Sequence, residues 1–196
     1  MTLINIKNFP NHHDLYLLPD EMSSFSPSFA LGVFGNPGNS AFYGFFELCQ
    51  PKKGDVVVVS GAAGAVGSLV GQLSKIKECK KVIGFAGSDE KCKWLETEMG
   101  FDKAINYKND NVKEELKKAA SDGVDIYFDN VGGVLSSIVI GDNMRMFGRI
   151  SVCGSISNYN DNTILVPAFN KFHRQNLRME GFMNYRWIKK WLDEGI

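Results

Sequence analysis

Four consecutive valines, Val56 to Val59, run into Ser60-Gly61-Ala62-Ala63-Gly64-Ala65-Val66-Gly67-Ser68, and this stretch leaves the chain little choice of local fold. An unbroken β-branched run of that kind reads as a strand. Leu69, Val70, Leu73 and Ile76 then recur at helical spacing. The pattern predicts strand, tight turn and helix in that order. Gly61 can take backbone angles closed to residues with a Cβ, Gly64 lets the main chain approach a ligand, and Gly67 brings the helix close to its sheet. The helix start offers unpaired N–H groups and the positive end of its dipole to an anion, so a pyrophosphate is the expected guest. A turn between strand and helix also uses glycine for geometry alone, so the triplet by itself has two readings. A second apolar run, Lys81-Val82-Ile83-Gly84-Phe85-Ala86, completes the βαβ unit that a dinucleotide-binding turn requires.

The turn after that second strand bears on which dinucleotide. A preference for NAD usually places a carboxylate at the strand end, roughly 20 residues beyond the glycines, to hold the ribose hydroxyls. Gly87 and Ser88 stand there, followed by Asp89, Glu90 and Lys91. Behind Ser88 as N-cap, Asp89 and Glu90 fall in a first helical turn, where the dipole favours acidic residues whatever the ligand. Lys91 is a candidate for the extra ribose phosphate of NADP, or a solvated lysine on an amphipathic helix.

The pattern repeats downstream. Cys92, Leu95 and Met99 mark a helix face stopped by Gly100, and Ala104–Tyr107 reads as a third strand. Asn111 with Glu114 resembles a capping box ahead of Val112, Leu116, Ala119 and Ala120. Val124–Gly133 is a fourth strand running into another glycine turn. Ligands of open parallel sheets lie beyond the strands' carboxyl ends, so Asn130 either meets a cofactor or is a turn residue bonded to its own backbone. Leu135, Ile138, Val139 and Met146 predict a helix ended by Gly148, and Arg149–Cys153 a fifth strand. Phe169, Phe172 and His173 suggest a short helix, and Leu177–Tyr185 a sixth apolar run. Upstream, Asn36-Pro37-Gly38 reads as a turn, with Ser40 capping the helix that follows. Alternating strands and helices joined by glycine turns predict an α/β fold with a doubly wound parallel sheet.

The length, 196 residues, suits one large domain or one and a half small ones, and residues 1–28 read as irregular chain. Lysine plus arginine balance aspartate plus glutamate, which argues against nucleic acid or an anionic membrane surface as partner. No apolar stretch approaches a membrane span and the amino terminus lacks a basic-then-apolar segment, so a cytoplasmic protein is expected. Cys49, Cys79, Cys92 and Cys153 are scattered, and His12, His13 and His173 are not clustered with them, so no metal site is expected. Tyr185 and Lys189 form the Tyr-x-x-x-Lys spacing of a short-chain dehydrogenase, but they follow the sixth strand rather than the fourth or fifth.

Several blocks occur together and in order: Gly61–Ser68, Ser88-Asp89-Glu90-Lys91, Ala104–Lys108, Tyr127–Gly133 and Cys153–Asn160, with Gly35-Asn36-Pro37-Gly38 and Arg178-Met179-Glu180 beside them. They resemble the prostaglandin reductase branch of the zinc-free medium-chain dehydrogenases, which also contains leukotriene 12-hydroxydehydrogenase and plant alkenal double-bond reductases. The resemblance implies a Rossmann-type NADP-binding domain at 29–187, a remnant of a GroES-like catalytic domain at 1–28, and a truncated return segment at 188–196. It implies NADPH-dependent reduction of the carbon–carbon double bond of α,β-unsaturated ketones or aldehydes, 15-oxoprostaglandins being the named substrates, and so a part in lipid metabolism. A cofactor-binding fragment without turnover and a quinone oxidoreductase of the same larger family are the alternatives.

By the same resemblance, Gly64, Ala65, Val66 and Gly67 would cradle the pyrophosphate, and Lys91 and Tyr107 would hold the 2′-phosphate with Ser88 nearby. Asn130 and the segment Cys153, Gly154, Ser155, Ile156, Ser157 and Tyr159 would line the adenosine and nicotinamide side, and Phe182, Met183 and Asn184 would flank the nicotinamide. Tyr159 would be the catalytic hydrogen-bond donor to the carbonyl oxygen or the cofactor ribose; taken alone it is a loop tyrosine packing its ring. No metal is required. Family members often dimerise through edge strands of the cofactor domain, so an exposed sixth strand would point to a homodimer.

Overall fold

The computed structural model describes residues 23–159, 169–187 and 190. Six strands, β1 (Val56–Val59), β2 (Lys81–Ala86), β3 (Lys103–Asn106), β4 (Val124–Asp129), β5 (Met144–Val152) and β6 (Arg178–Gly181), form one sheet in the order β3-β2-β1-β4-β5-β6. Every pairing is parallel. Helices α1 (Asn36–Tyr43), α2 (Ala65–Ile76), α3 (Asp89–Thr97), α4 (Val112–Ala119), α5 (Gly133–Ile138) and α6 (Phe169–Gln175) supply the crossovers and the cover.

Parallel pairing forces long crossovers, and the helices in them cover both faces of the sheet. This accounts for the unbroken valine run: all four valines of β1 are buried. Alternation along the strand divides them between two cores. Val57 and Val59 join Phe45, Val70, Leu95 and Phe128 on one side, while Val56 and Val58 join Ile83, Phe85, Leu116 and Tyr127 on the other. The strand order steps outward from β1 to β3 and then restarts at β4 on β1's other edge, which leaves a crevice between the carboxyl ends of β1 and β4.

The structure corrects the expectations at three places. Asn36-Pro37-Gly38 is the first turn of α1 rather than a turn before it, because a proline near a helix start costs no hydrogen bond. Ser40 lies inside that helix, its Oγ donating to Asn36 Oδ1 at 3.3 Å. β3 begins one residue early, at Lys103, so Tyr107 follows the strand instead of closing it.

The third correction concerns Met146. α5 ends at Ile138 and widens into a π-turn over Val139–Asn143, where Asn143 Nδ2 donates to Ile138 O at 2.9 Å. β5 then starts at Met144, paired with Val124, and its next registered pair is Ile126 with Arg149. Residues 145–148 bulge out, with Phe147 at φ +62° and Met146 exposed, so Met146 and Gly148 belong to a strand bulge.

β6 confirms the sixth apolar run as a strand, though it stops at Gly181, and Tyr185 lies in a 3-10 turn over Asn184–Trp187. Lys189, the residues 1–22, and all of 188–196 except Lys190 lie outside the described residues, as does most of the link between β5 and α6. No described helix is long and apolar enough to cross a membrane.

Candidate functional site

The site begins at the turn after β1. Gly61 sits at φ +59°, a conformation that residues with a Cβ rarely adopt. A Cβ on Gly67 would lie 2.4 Å from Gly61 O and 2.8 Å from Ala62 Cα, so this glycine lets α2 lie against the turn's own backbone. Gly64 N-caps α2 without a side-chain hydrogen bond, and the first turn carries no acidic residue. α3 and α4 differ: Ser88 accepts from Lys91 N–H, and Asn111 from Glu114 N–H. The first-turn N–H groups of α2 are thus left for a ligand, with the dipole favouring an anion.

A groove of about 440 Å³ opens over this turn. Gly64, Ala65, Val66, Gly67, Lys91, Tyr107, Asn130 and Ile156 line it, which brings together eight of the residues expected from sequence. Gly61, Ala63, Phe85, Ala86, Gly87 and Val131 complete the lining. The groove therefore runs from the end of β4, across α2's start, to the end of β2.

Asn130 lines the groove and is also tied to the end of β1. Its Nδ2 donates to Ser60 O at 2.8 Å and its N–H to Ser60 Oγ at 2.9 Å, tying β4's end to β1's end. These bonds leave Oδ1 as the acceptor that Asn130 offers to the groove.

Beneath it lies a network not anticipated from sequence. Asp129, only 3% exposed, accepts at Oδ1 from Ser60 Oγ (2.8 Å), Tyr127 Oη (3.0 Å), Val131 N–H (3.0 Å) and Gly132 N–H (2.9 Å). Its Oδ2 accepts from Ser136 Oγ. A buried carboxylate without a cation is tolerable only with such a set of donors. Burial, reinforced by Asp129's charge, pushes the Tyr127 hydroxyl well above its ordinary pKa. The same two causes push the Cys153 thiol up to about 11. The sequence did carry one signal, an Asp closing an apolar strand just before a glycine turn.

The remaining expected residues are dispersed. Ser88 lines a neighbouring hollow with its Oγ engaged as the α3 cap. Cys153 and Gly154 continue from β5 and donate their N–H groups to Asp129 O at 2.8 and 3.1 Å. Ser155 borders Gly132, and Ser157 Oγ donates to Val131 O at 2.6 Å, holding this segment over the β4 turn. Tyr159 is 67% exposed, with its hydroxyl near Gly154. Phe182 does not face the groove; its ring packs over Gly44, edge-on to Phe128 at 6.4 Å and to Trp187 at 5.4 Å. Met183 is exposed and Asn184 starts the last 3-10 turn.

Comparison with known proteins bears on the same elements. The chain is 47% identical over 182 residues to prostaglandin reductase 1 of Bos taurus, covering 86% of this chain and 54% of that one. It is 48% identical over 159 residues to the 2-alkenal reductase (NADP(+)-dependent) of Nicotiana tabacum, covering 80% and 46%. The crystal structure of CurA from Vibrio vulnificus in complex with NADPH superposes with a TM-score of 0.76 at 38% identity, covering 86% of this chain and 55% of that one. The chain thus spans about half the length of these relatives. A family model described as zinc-binding dehydrogenase matches residues 65–193. Among the described residues no group of three or more His, Cys, Asp or Glu could hold a metal ion, so they do not fit the zinc of that description. The sheet order, the groove and these matches agree that the chain belongs to the zinc-binding dehydrogenase family, the medium-chain dehydrogenase/reductases.

Proposed function

We propose that the groove holds NADPH and that the chain is the cofactor-holding part of a reductase acting on the carbon–carbon double bond of α,β-unsaturated ketones and aldehydes, 15-oxoprostaglandins among them. The observation that carries this reading is the convergence of the uncapped α2 start with Lys91 and Tyr107 on one groove at the sheet's crossing point. The helix start suits a pyrophosphate, and an ammonium beside a phenolic hydroxyl suits a further phosphate. Support comes from the NADPH complex of CurA and from the NADP-dependent alkenal reductase among the relatives.

Bound there, the cofactor supplies a hydride for the β-carbon. The chain's part is to hold and polarise. Main-chain N–H groups at Gly64–Gly67 take the pyrophosphate, Lys91 and Tyr107 take the 2′-phosphate, and Asn130 Oδ1 accepts from a ribose hydroxyl or the carboxamide. Tyr159 donates a hydrogen bond to the substrate's carbonyl oxygen, where negative charge builds, or to the ribose beside it. Cys153 to Ser157 line the nicotinamide side, and the backbone of Phe182, Met183 and Asn184 flanks it.

A second reading, favoured by Tyr159, the expected hydrogen-bond donor, lying outside the groove's lining, is a unit that binds NADPH without turnover. Calorimetric titration with NADPH, followed by NADPH consumption with an alkenal, a 15-oxoprostaglandin and a quinone, separates the readings. Consumption with the enones supports the first, consumption with the quinone alone moves the chain to quinone oxidoreductase chemistry, and binding without consumption supports the second. Absence of binding removes them all. The edge of β6, unpaired among the described residues, is also proposed as a homodimer contact, which sedimentation velocity checks.

A further inference from the structure

We propose that Lys108 is a second cation for the 2′-phosphate, acting across Gly87 from Lys91, and that Asn106 makes this workable by holding Asp89 away from that phosphate. The proposal rests on the reading that the groove holds NADPH.

The groove and a second hollow meet at Gly87. Lys91 and Tyr107 line the groove side; Asp89, Glu90, Asn106 and Lys108 line the hollow. A Cβ placed on Gly87 would lie 2.8 Å from Tyr107 Oη and 3.4 Å from Lys108 Cε. Both side chains therefore close over this one position, and a phosphate that reaches Tyr107 is also within the sweep of Lys108's ammonium. Among the described residues, neither Lys91 nor Lys108 has a carboxylate within ion-pair distance, whereas Lys75, Lys80, Lys103 and Lys113 each do. Two unpaired ammonium groups flanking a glycine suit a dianion better than a neutral hydroxyl pair.

Asp89 is the adverse charge at this place. Asn106, 3% exposed, donates from Nδ2 to Asp89 Oδ1 at 2.6 Å, while its Oδ1 accepts Lys108 N–H at 3.1 Å. One buried amide thus restrains the carboxylate at α3's start and fixes the backbone that carries Lys108. Asp110 Oδ2 accepts Asn106 N–H at 2.7 Å and keeps this corner rigid. Asn106 is a positioning residue, and Lys108 sets specificity. Glu90 is the carboxylate of the hollow that none of these bonds engages.

The test uses adenosine 2′,5′-bisphosphate and AMP as probes, with NADPH and NADH beside them, titrated calorimetrically into the full chain. Lys108 is exposed, so Lys108→Met preserves the fold. The expected result is about a tenfold loss of affinity for the two 2′-phosphorylated ligands with AMP and NADH unchanged. Glu90→Gln moves the other way, tightening the 2′-phosphorylated ligands alone. Equal losses for phosphorylated and unphosphorylated ligands, or no change in a protein that still prefers NADPH, overturn the role of Lys108 while leaving the cofactor reading intact. A wild-type chain that does not prefer NADPH to NADH overturns the cofactor reading and Lys108's role with it.

Discussion

Ser60 Oγ donates to Asp129 Oδ1 at 2.8 Å and accepts Asn130 N–H at 2.9 Å, so one hydroxyl joins the ends of β1 and β4 on the floor of the crevice. The two neighbouring strands whose crossovers leave to opposite sides to make the groove are stitched there by a residue with no slack, since its only proton goes to the carboxylate. The carboxylate in turn collects Val131 and Gly132 N–H, which shapes the turn that presents Asn130.

Ser60→Ala therefore removes two bonds from a buried site. The Asp129 carboxylate loses a donor and Asn130 N–H loses its acceptor, a cost of about 1–3 kcal/mol. The urea midpoint should fall with the slope unchanged, and NADPH affinity should fall with it because Asn130 is then held to residue 60 by its Nδ2 bond alone. An unaltered midpoint would mean that the network is redundant at this position.

Alkaline lability follows from the buried acids. Burial raises the thiol pKa of Cys49 to about 12, with Arg149 opposing, and that of Cys79 to about 11, with Asp55's charge adding to the rise. Cys153 stands at about 11, and Tyr127 is also raised. In each case the folded chain holds its proton to higher pH than the unfolded chain. The unfolded state thus binds fewer protons above the unfolded thiol value of 9.0, and stability, full below that pH, declines from there toward pH 12. Chemical denaturation measured across this window should show a falling midpoint, and Cys49→Ala should flatten the decline. Thiol reagents should label Cys92 ahead of Cys49 in the native chain, since Cys92 is the less buried of the two.

Gly67→Ala puts a Cβ against Gly61 O and Ala62 Cα, both main-chain atoms that yield only if the turn shifts. Overpacking of this kind costs about 1–3 kcal/mol. The shift also moves the α2 N–H groups that face the groove, so NADPH and NADH should weaken together. Lys91→Ala should instead weaken NADPH and spare NADH. Titration of both variants with both nucleotides separates a damaged cradle from a lost phosphate contact.

What the sequence made legible was local. The valine run, the glycine turn, the Ser88 and Asn111 caps and the α6 and β6 segments are all specified within a few residues, and periodicity and capping chemistry report them. The misreadings have tertiary causes. Met146 keeps helical spacing with Ile138 and Val139, yet the pairing of Met144 with Val124 ends the helix first. The packing of the Phe182 ring over Gly44 is likewise invisible from sequence, since the two are far apart along the chain. Ser60 and Asp129 are 69 residues apart, so no window along the chain contains their contact. Asn130 is legible from its place at a strand end, but its partner Ser60, just beyond β1, is not.

Tyr159 offers the sharpest division between binding and chemistry. Tyr159 is 67% exposed beyond β5, outside the groove proposed for the nucleotide, so removing the hydroxyl leaves the packing intact. If the hydroxyl donates to the developing oxyanion, Tyr159→Phe should lower kcat by about 10²-fold, the scale of one lost oxyanion donor, with the Kd for NADPH unchanged. If it donates to the cofactor ribose, the Kd should rise and kcat should fall less. Stopped-flow hydride transfer with an alkenal, paired with equilibrium binding of NADPH, resolves the two. A variant that matches wild type in both would make Tyr159 a loop residue packing its ring and leave the donor's part to another group.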